Sequence, residues 1–117
     1  MSKTTMALIV KWAITFVASW IVFGLIDGNT LGTVFLISVV GTIVNYLIGD
    51  LLVLPNFGNI VASIGDGAMG ALAAYFLSFI IEGFQTTLTS LLIFAAIVAV
   101  AEYVFHMYLL KSEEVAP

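Results

Sequence analysis

The stretch LTSLLIFAAIVAVAEYVFHMYLL, from Leu88 to Leu110, decides the fold class. From Leu91 to Ala101 every residue is apolar, with no alternation of apolar and polar positions. A strand of a membrane barrel alternates over roughly ten residues, whereas a helix of about 20 apolar residues crosses a bilayer. The stretch is therefore read as a membrane-spanning helix. Near its end it carries two ionisable groups, Glu102 and His106.

Working outward, three more stretches of the same kind precede it. Met6 to Ile26 is interrupted only by Lys11 and ends at the turn-forming run Asp27-Gly28-Asn29-Thr30. Leu31 to Leu54 stops before Pro55-Asn56-Phe57-Gly58-Asn59, because proline disfavours helical geometry at the residue before it. Ile60 to Ile81 closes at Glu82-Gly83-Phe84-Gln85-Thr86-Thr87. The expected spans are thus 6–26, 31–54, 60–81 and 88–110, with a polar tail over 111–117. The fold class is all-α: one integral membrane domain over residues 1–117, a polytopic antiparallel bundle of four transmembrane helices. Val17-Ala18-Ser19 has the small residues of a leader cleavage site, yet Trp20 to Ile26 continues the apolar run beyond it. The first stretch is accordingly read as a span.

Composition points the same way. Of 117 residues, 62% are hydrophobic and 9% charged, against about 25% charged in soluble domains. Three lysines and seven acids cannot clothe a core of this size in water. The length leaves no room for a separate soluble domain, which excludes most enzymes and nucleic-acid binders. With no cysteine there is no disulfide framework and no thiolate metal site. A net charge of −4 offers no basic track for a phosphate backbone.

With four spans, Lys3, Lys11 and Lys111 fall at one side, while Asp27 and Glu82 occupy the opposite loops. The positive-inside rule then places both termini in the cytoplasm.

Five ionisable residues lie inside the spans: Lys11, Asp50, Asp66, Glu102 and His106. Counted along the helix rise, they sit roughly 6 to 12 Å from the cytoplasmic ends. All four spans contribute, and all in the same half. Charges at such depth are costly and normally face protein or water. In the third span Ala62, Asp66, Gly70 and Ala74 recur every four residues beside Ser63, Gly67 and Ala71. Small residues let helices approach closely, so this stripe is read as a helix–helix seam containing Asp66. In the fourth span Leu88, Leu92, Ala95, Ala99, Glu102 and His106 define the face expected to look inward. Ser38, Thr42, Asn45 and Gly49 form a polar stripe in the second span, and Lys11, Thr15, Ala18 and Val22 share a face of the first. Asp50 stands about 100° from Gly49, which leaves its direction open.

Three carboxylates beside one ammonium leave excess negative charge. Lys11 is expected to pair with Asp66 or Asp50 while Glu102 keeps its proton, or water enters from the cytoplasmic side. The structural alternative lets Lys11 and His106 snorkel to the interface and Asp50 end its helix among headgroups. Trp12, Tyr103, Phe105 and Tyr108 are read as an interfacial aromatic belt. Glu102 and His106, four residues apart, share a helix face that suits a metal. With one histidine and no cysteine, no metal or other cofactor is expected.

The pieces Asn45-Tyr46-Leu47-Ile48-Gly49-Asp50 and Leu54-Pro55-Asn56-Phe57-Gly58-Asn59, followed by Asp66, resemble the YndM-like family. These are small four-span membrane proteins of spore-forming firmicutes with no established activity. The similarity extends to the first span with Lys11 and to Glu102-Tyr103-Val104-Phe105-His106. The resemblance implies a bacterial inner-membrane protein and transfers no activity. Small multidrug-resistance transporters differ in carrying an acid in the first span, where this chain has Lys11. The motifs of dual-topology fluoride channels are not evident.

Two functions follow. One is a non-enzymatic structural or interaction component of the bacterial membrane. Its partners would be the lipid bilayer and further copies of the chain or another membrane protein, with no nucleic acid. The other is a small proton- or cation-coupled transporter or channel, with Asp66 and Glu102 as carriers.

Overall fold

The computed structural model describes the backbone of residues 3–111 and the side chains of residues 5–107. Helix α1 is α-helical over Lys3–Ser19 and continues as a π-helix over Trp20–Ile26. Helix α2 is α-helical over Leu31–Val44, a π-helix over Asn45–Val53, and closes with the short turn Leu54–Phe57. Helices α3 and α4 span Asn59–Ile80 and Leu88–Lys111. Four helices among the described residues are long and apolar enough to cross a membrane. The fold is an all-α polytopic bundle, 42 Å long and 29 × 21 Å across. Of the expected polar tail, all but Lys111 lies outside the described residues, as does the side chain of Tyr108.

Pro55 does not stop α2 at Leu54, as the sequence suggested. A fresh helical turn begins at Leu54 and carries the proline in its first positions, where a missing N–H breaks no internal bond. The chain then reverses at Gly58, whose φ of 87° only glycine adopts without strain. At the far end of the bundle, the loops are laced together by Asn29. Its Nδ2 donates to the carbonyls of Phe23 (3.0 Å) and Gln85 (2.6 Å), and its Oδ1 accepts from the Gln85 N–H at 2.8 Å. Ser90 adds a 2.6 Å bond to Asp27 Oδ1.

The bundle is inverted relative to a soluble protein. Phe76, Phe79 and Ile80 are 69–75% exposed, while Lys11 is 0% exposed. Apolar surface on this scale needs an apolar medium around it. Within the bundle, Val22, Phe23, Val34, Ile37, Phe84, Phe94 and Val98 form an apolar core in the far half. A smaller core of Ala7, Leu54, Ala62 and Phe105 lies at the lysine-bearing end.

Helices α3 and α4 pack closest. A Cβ added to Gly67 would overlap the Ala95 carbonyl oxygen, and one on Gly70 would lie 3.2 Å from the Phe94 ring. Ala62, Gly67, Gly70 and Ala74 are buried and Ala71 half-buried, so the small-residue stripe is used inside the bundle. The α4 face differs from the expectation. Leu88 and Leu92 are 73% and 62% exposed, and Ala95 and Ala99 are half-buried. The inward row is instead Ser90, Phe94, Val98 and Glu102, joined by Phe105 and His106. The helix is rotated so that phenylalanine fills the core while its alanines receive the glycine edge of α3.

Candidate functional site

The five intramembrane ionisable groups converge on one point. Lys11 Nζ donates to Glu102 Oε2 at 2.8 Å and lies 2.9 Å from Asp50 Oδ2 but 4.0 Å from Asp66 Oδ2, so its nearest partners are Asp50, as expected, and Glu102, which the sequence had left out of the pair. His106 Nε2 reaches the same three acids: Asp50 Oδ1 at 2.9 Å, Asp66 Oδ2 at 3.1 Å and Glu102 Oε2 at 3.4 Å. Every one of these side chains is 0–1% exposed. The snorkelling alternative is therefore corrected: Lys11 and His106 turn inward, and Asp50 is enclosed rather than bathed in headgroups. Opposite charges at hydrogen-bond distance offset part of the dehydration cost, which is several kcal/mol for an ion buried alone.

Local geometry explains the convergence. Lys11 sits on the inward face of α1 with Thr15, Ala18 and Val22, all buried. In α2 the i→i+5 bonding of the π-helix stacks Asp50 under Asn45 and turns both Gly49 and Asp50 inward. That settles the direction of Asp50, which α-helical spacing left open. Gly49 also makes room for its neighbour: a Cβ there would overlap the Asp66 carboxylate. From α4, Glu102 and His106 lie one turn apart. Lys11 Nζ additionally stands 5.7 Å from the centre of the Phe105 ring, close enough for a cation–π contact.

Sequence reasoning missed the groups behind the histidine. Asn59 Nδ2 donates to the Tyr103 carbonyl at 3.0 Å, which fixes its amide and aims Oδ1 at His106 Nδ1, 3.0 Å away. Ser63 donates to Asn59 Oδ1 at 2.9 Å and stands 3.2 Å from the same ring nitrogen. Both nitrogens of His106 thus face acceptors, the pattern of an imidazolium. Spacing could have revealed this support, since Asn59, Ser63 and Asp66 follow a 4-3 step on one face of α3. The aromatic belt needs a similar revision. Phe105 is buried, and the half-buried Trp12 donates Nε1 to Ser38 Oγ on α2 at 3.0 Å. Tyr103 alone of the described three is exposed.

Even with His106 counted as a cation, two positive groups face three carboxylates. The chemistry available is therefore that of a proton or cation held against surplus negative charge. One ligand atom from each of Asp50, Asp66, Glu102 and His106 lies within 4.8 Å of all the others, a spread a single cation can bridge. Lys11 now presses its ammonium against those same oxygens. An incoming cation would have to displace it.

No solved structure matches this chain. Among curated proteins it is 31% identical over 113 residues to the uncharacterized membrane protein YndM of Bacillus subtilis (strain 168). That alignment covers 94% of the chain but 62% of the relative, so the chain spans less than two thirds of the relative's length. The family model described as "Protein of unknown function (DUF2512)" matches residues 2–115. The apolar four-helix bundle and this match together identify the chain as a membrane protein belonging to the DUF2512 family.

Proposed function

We propose that the chain is a small, non-enzymatic, ion-coupled membrane protein whose buried charged layer takes up and releases a proton or cation. The observation that carries this reading is the imbalance of charge in an enclosed site. Three carboxylates and two bases, in side chains no more than 1% exposed, leave one negative charge that a proton or cation must neutralise. All four helices supply a member, so a change of charge in the layer acts on the packing of the entire bundle. The lysine-bearing end faces the cytoplasm of a bacterial inner membrane in this reading, by the positive-inside rule.

Reconstitution into liposomes with an entrapped pH-sensitive dye tests it. Wild-type protein should dissipate an imposed proton or cation gradient faster than empty liposomes, and Asp66→Asn or Glu102→Gln should abolish the difference. Flux equal to that of empty liposomes would defeat the proposal.

A second reading is favoured by the completeness of the enclosure, with each of the five side chains at 0–1% exposure. In it the layer is a static lock that sets the register of an interaction or envelope component. That reading expects no flux, together with loss of the folded bundle when Asp66 or Glu102 is neutralised.

A further inference from the structure

Beyond the charged layer, the interior of α1 and α2 holds polar groups that make no hydrogen bond within the protein. Thr15 Oγ1, Ser19 Oγ and both amide atoms of Asn45 are buried and unpartnered, in residues no more than 1% exposed. A hydroxyl in a helix usually satisfies itself on the carbonyl one turn back, as Thr42 does on Ser38 at 2.7 Å. These groups do not. Buried polar groups without a partner are costly, the more so where lipid surrounds the bundle.

Their placement is ordered. Lys11, Thr15 and Ser19 follow at one-turn intervals on the inward face of α1, so Ser19 lies roughly 12 Å beyond the lysine toward the far end. Asn45 stacks over Asp50 on the facing π-helix. Thr15 meets α2 where a Cβ on Gly41 would lie 3.4 Å from its methyl group, so α2 stays slender beside the row. Beyond Ser19 the interior becomes apolar at Val22, Phe23 and Phe94.

We propose that Thr15, Ser19 and Asn45 line a file of bound water. It would run from the charged layer toward the far face and be stopped there by the Val22–Phe23–Phe94 plug. Each orphaned group supplies a donor or acceptor, and a buried water takes two to four such partners. The role of the file as the far-side half of an ion path rests on the ion-coupled reading above; its existence does not.

The chain contains no cysteine, so single thiols can be read without background. Thr15→Cys and Ser19→Cys, both near-isosteric, are made one at a time, with Val98→Cys as a reference in the dry core. Reconstituted proteins are exposed to silver ion, then unfolded, and the thiols still free are counted with a fluorescent maleimide. The thiols of Thr15→Cys and Ser19→Cys should be blocked at least roughly tenfold faster than that of Val98→Cys, because hydration of the row admits a small aqueous cation. Blocking as slow as at Val98 would overturn the file. Circular dichroism identifies any variant that has lost its helices, and the other position then decides alone. Fast blocking combined with no proton flux in wild-type liposomes would keep the water file and discard the ion-coupled function. Slow blocking with measurable flux would do the reverse.

Discussion

Replacing Gly49 by alanine tests the geometry of the charged layer through the sign of a stability change. A Cβ at this position would overlap Asp66 Oδ1 and lie 3.0 Å from Cγ and 3.3 Å from Oδ2. The carboxylate cannot retreat freely, because Oδ2 is held 3.1 Å from His106 Nε2 and 4.0 Å from Lys11 Nζ. Overpacking of this kind costs about 1–3 kcal/mol. Disturbing a contact to a charged partner adds about 1.5–3 kcal/mol. Alanine returns about 1 kcal/mol through its better helix propensity. The net expectation is a loss of about 1.5–5 kcal/mol. Gly65→Ala is the control, since a Cβ there would meet nothing within 4 Å; it should gain about 0.5–1 kcal/mol. The assay is loss of helicity during titration of dodecylmaltoside micelles with sodium dodecyl sulfate, extrapolated linearly. Adding Asp66→Ala to Gly49→Ala removes the collision, so the pair should show a coupling energy of about 0.5–3 kcal/mol. If Gly49→Ala is as stable as wild type, or gains as Gly65→Ala does, Asp66 does not point where the reasoning requires.

Further consequences can be checked in the same micelles. Lys11→Met leaves three carboxylates against His106 and should destabilise the bundle by about 3–5 kcal/mol, with part of the loss recovered by adding Glu102→Gln; an unchanged midpoint would contradict the pairing. Gly67→Ala drives a methyl group toward the Ala95 carbonyl and should cost about 1–3 kcal/mol despite its higher helix propensity. Asn29→Ala removes three side-chain hydrogen bonds, two of them across to Gln85 in the other far loop, and should lower stability by about 1–3 kcal/mol, together with faster amide exchange confined to the segment around Gln85. Ser38→Ala deprives the Trp12 indole of its acceptor, costing about 1 kcal/mol; a shift of the tryptophan emission should accompany it, Trp20 staying as an internal reference.

Much of the fold was legible before any coordinates. Lipid tolerates only long apolar stretches whose backbone bonds are satisfied internally, so each span announces itself through composition. The observed spans are separated by turns at Gly28, Gly58 and Gly83, although α2 runs on through Pro55 to Phe57. Depth was equally readable, because helix rise converts position directly into distance from the end. That is why Lys11, Asp50, Asp66, Glu102 and His106 could be assigned to one half of the membrane. The glycine and alanine stripe of α3 was visible too, since small side chains at four-residue spacing have no better use than a close seam.

Direction was harder. The rotation of α4 depends on which of two apolar rows fills the core, and Leu92 and Phe94 are about equally acceptable to lipid and to protein. Hydrophobicity therefore could not choose, and the shape of the space around Phe23 did. The orientation of Asp50 turned on a π-helix, a bonding pattern with no clear signature in residue type. The imidazolium environment of His106 required the amide of Asn59, held in place by a carbonyl on another helix. Sequence by itself determined how many helices there are and which of them carries each charge, because those are properties of one chain segment against its solvent. Whether the charges meet was decided only by tertiary structure, because meeting depends on the relative rotation of four helices whose outer faces lipid does not distinguish.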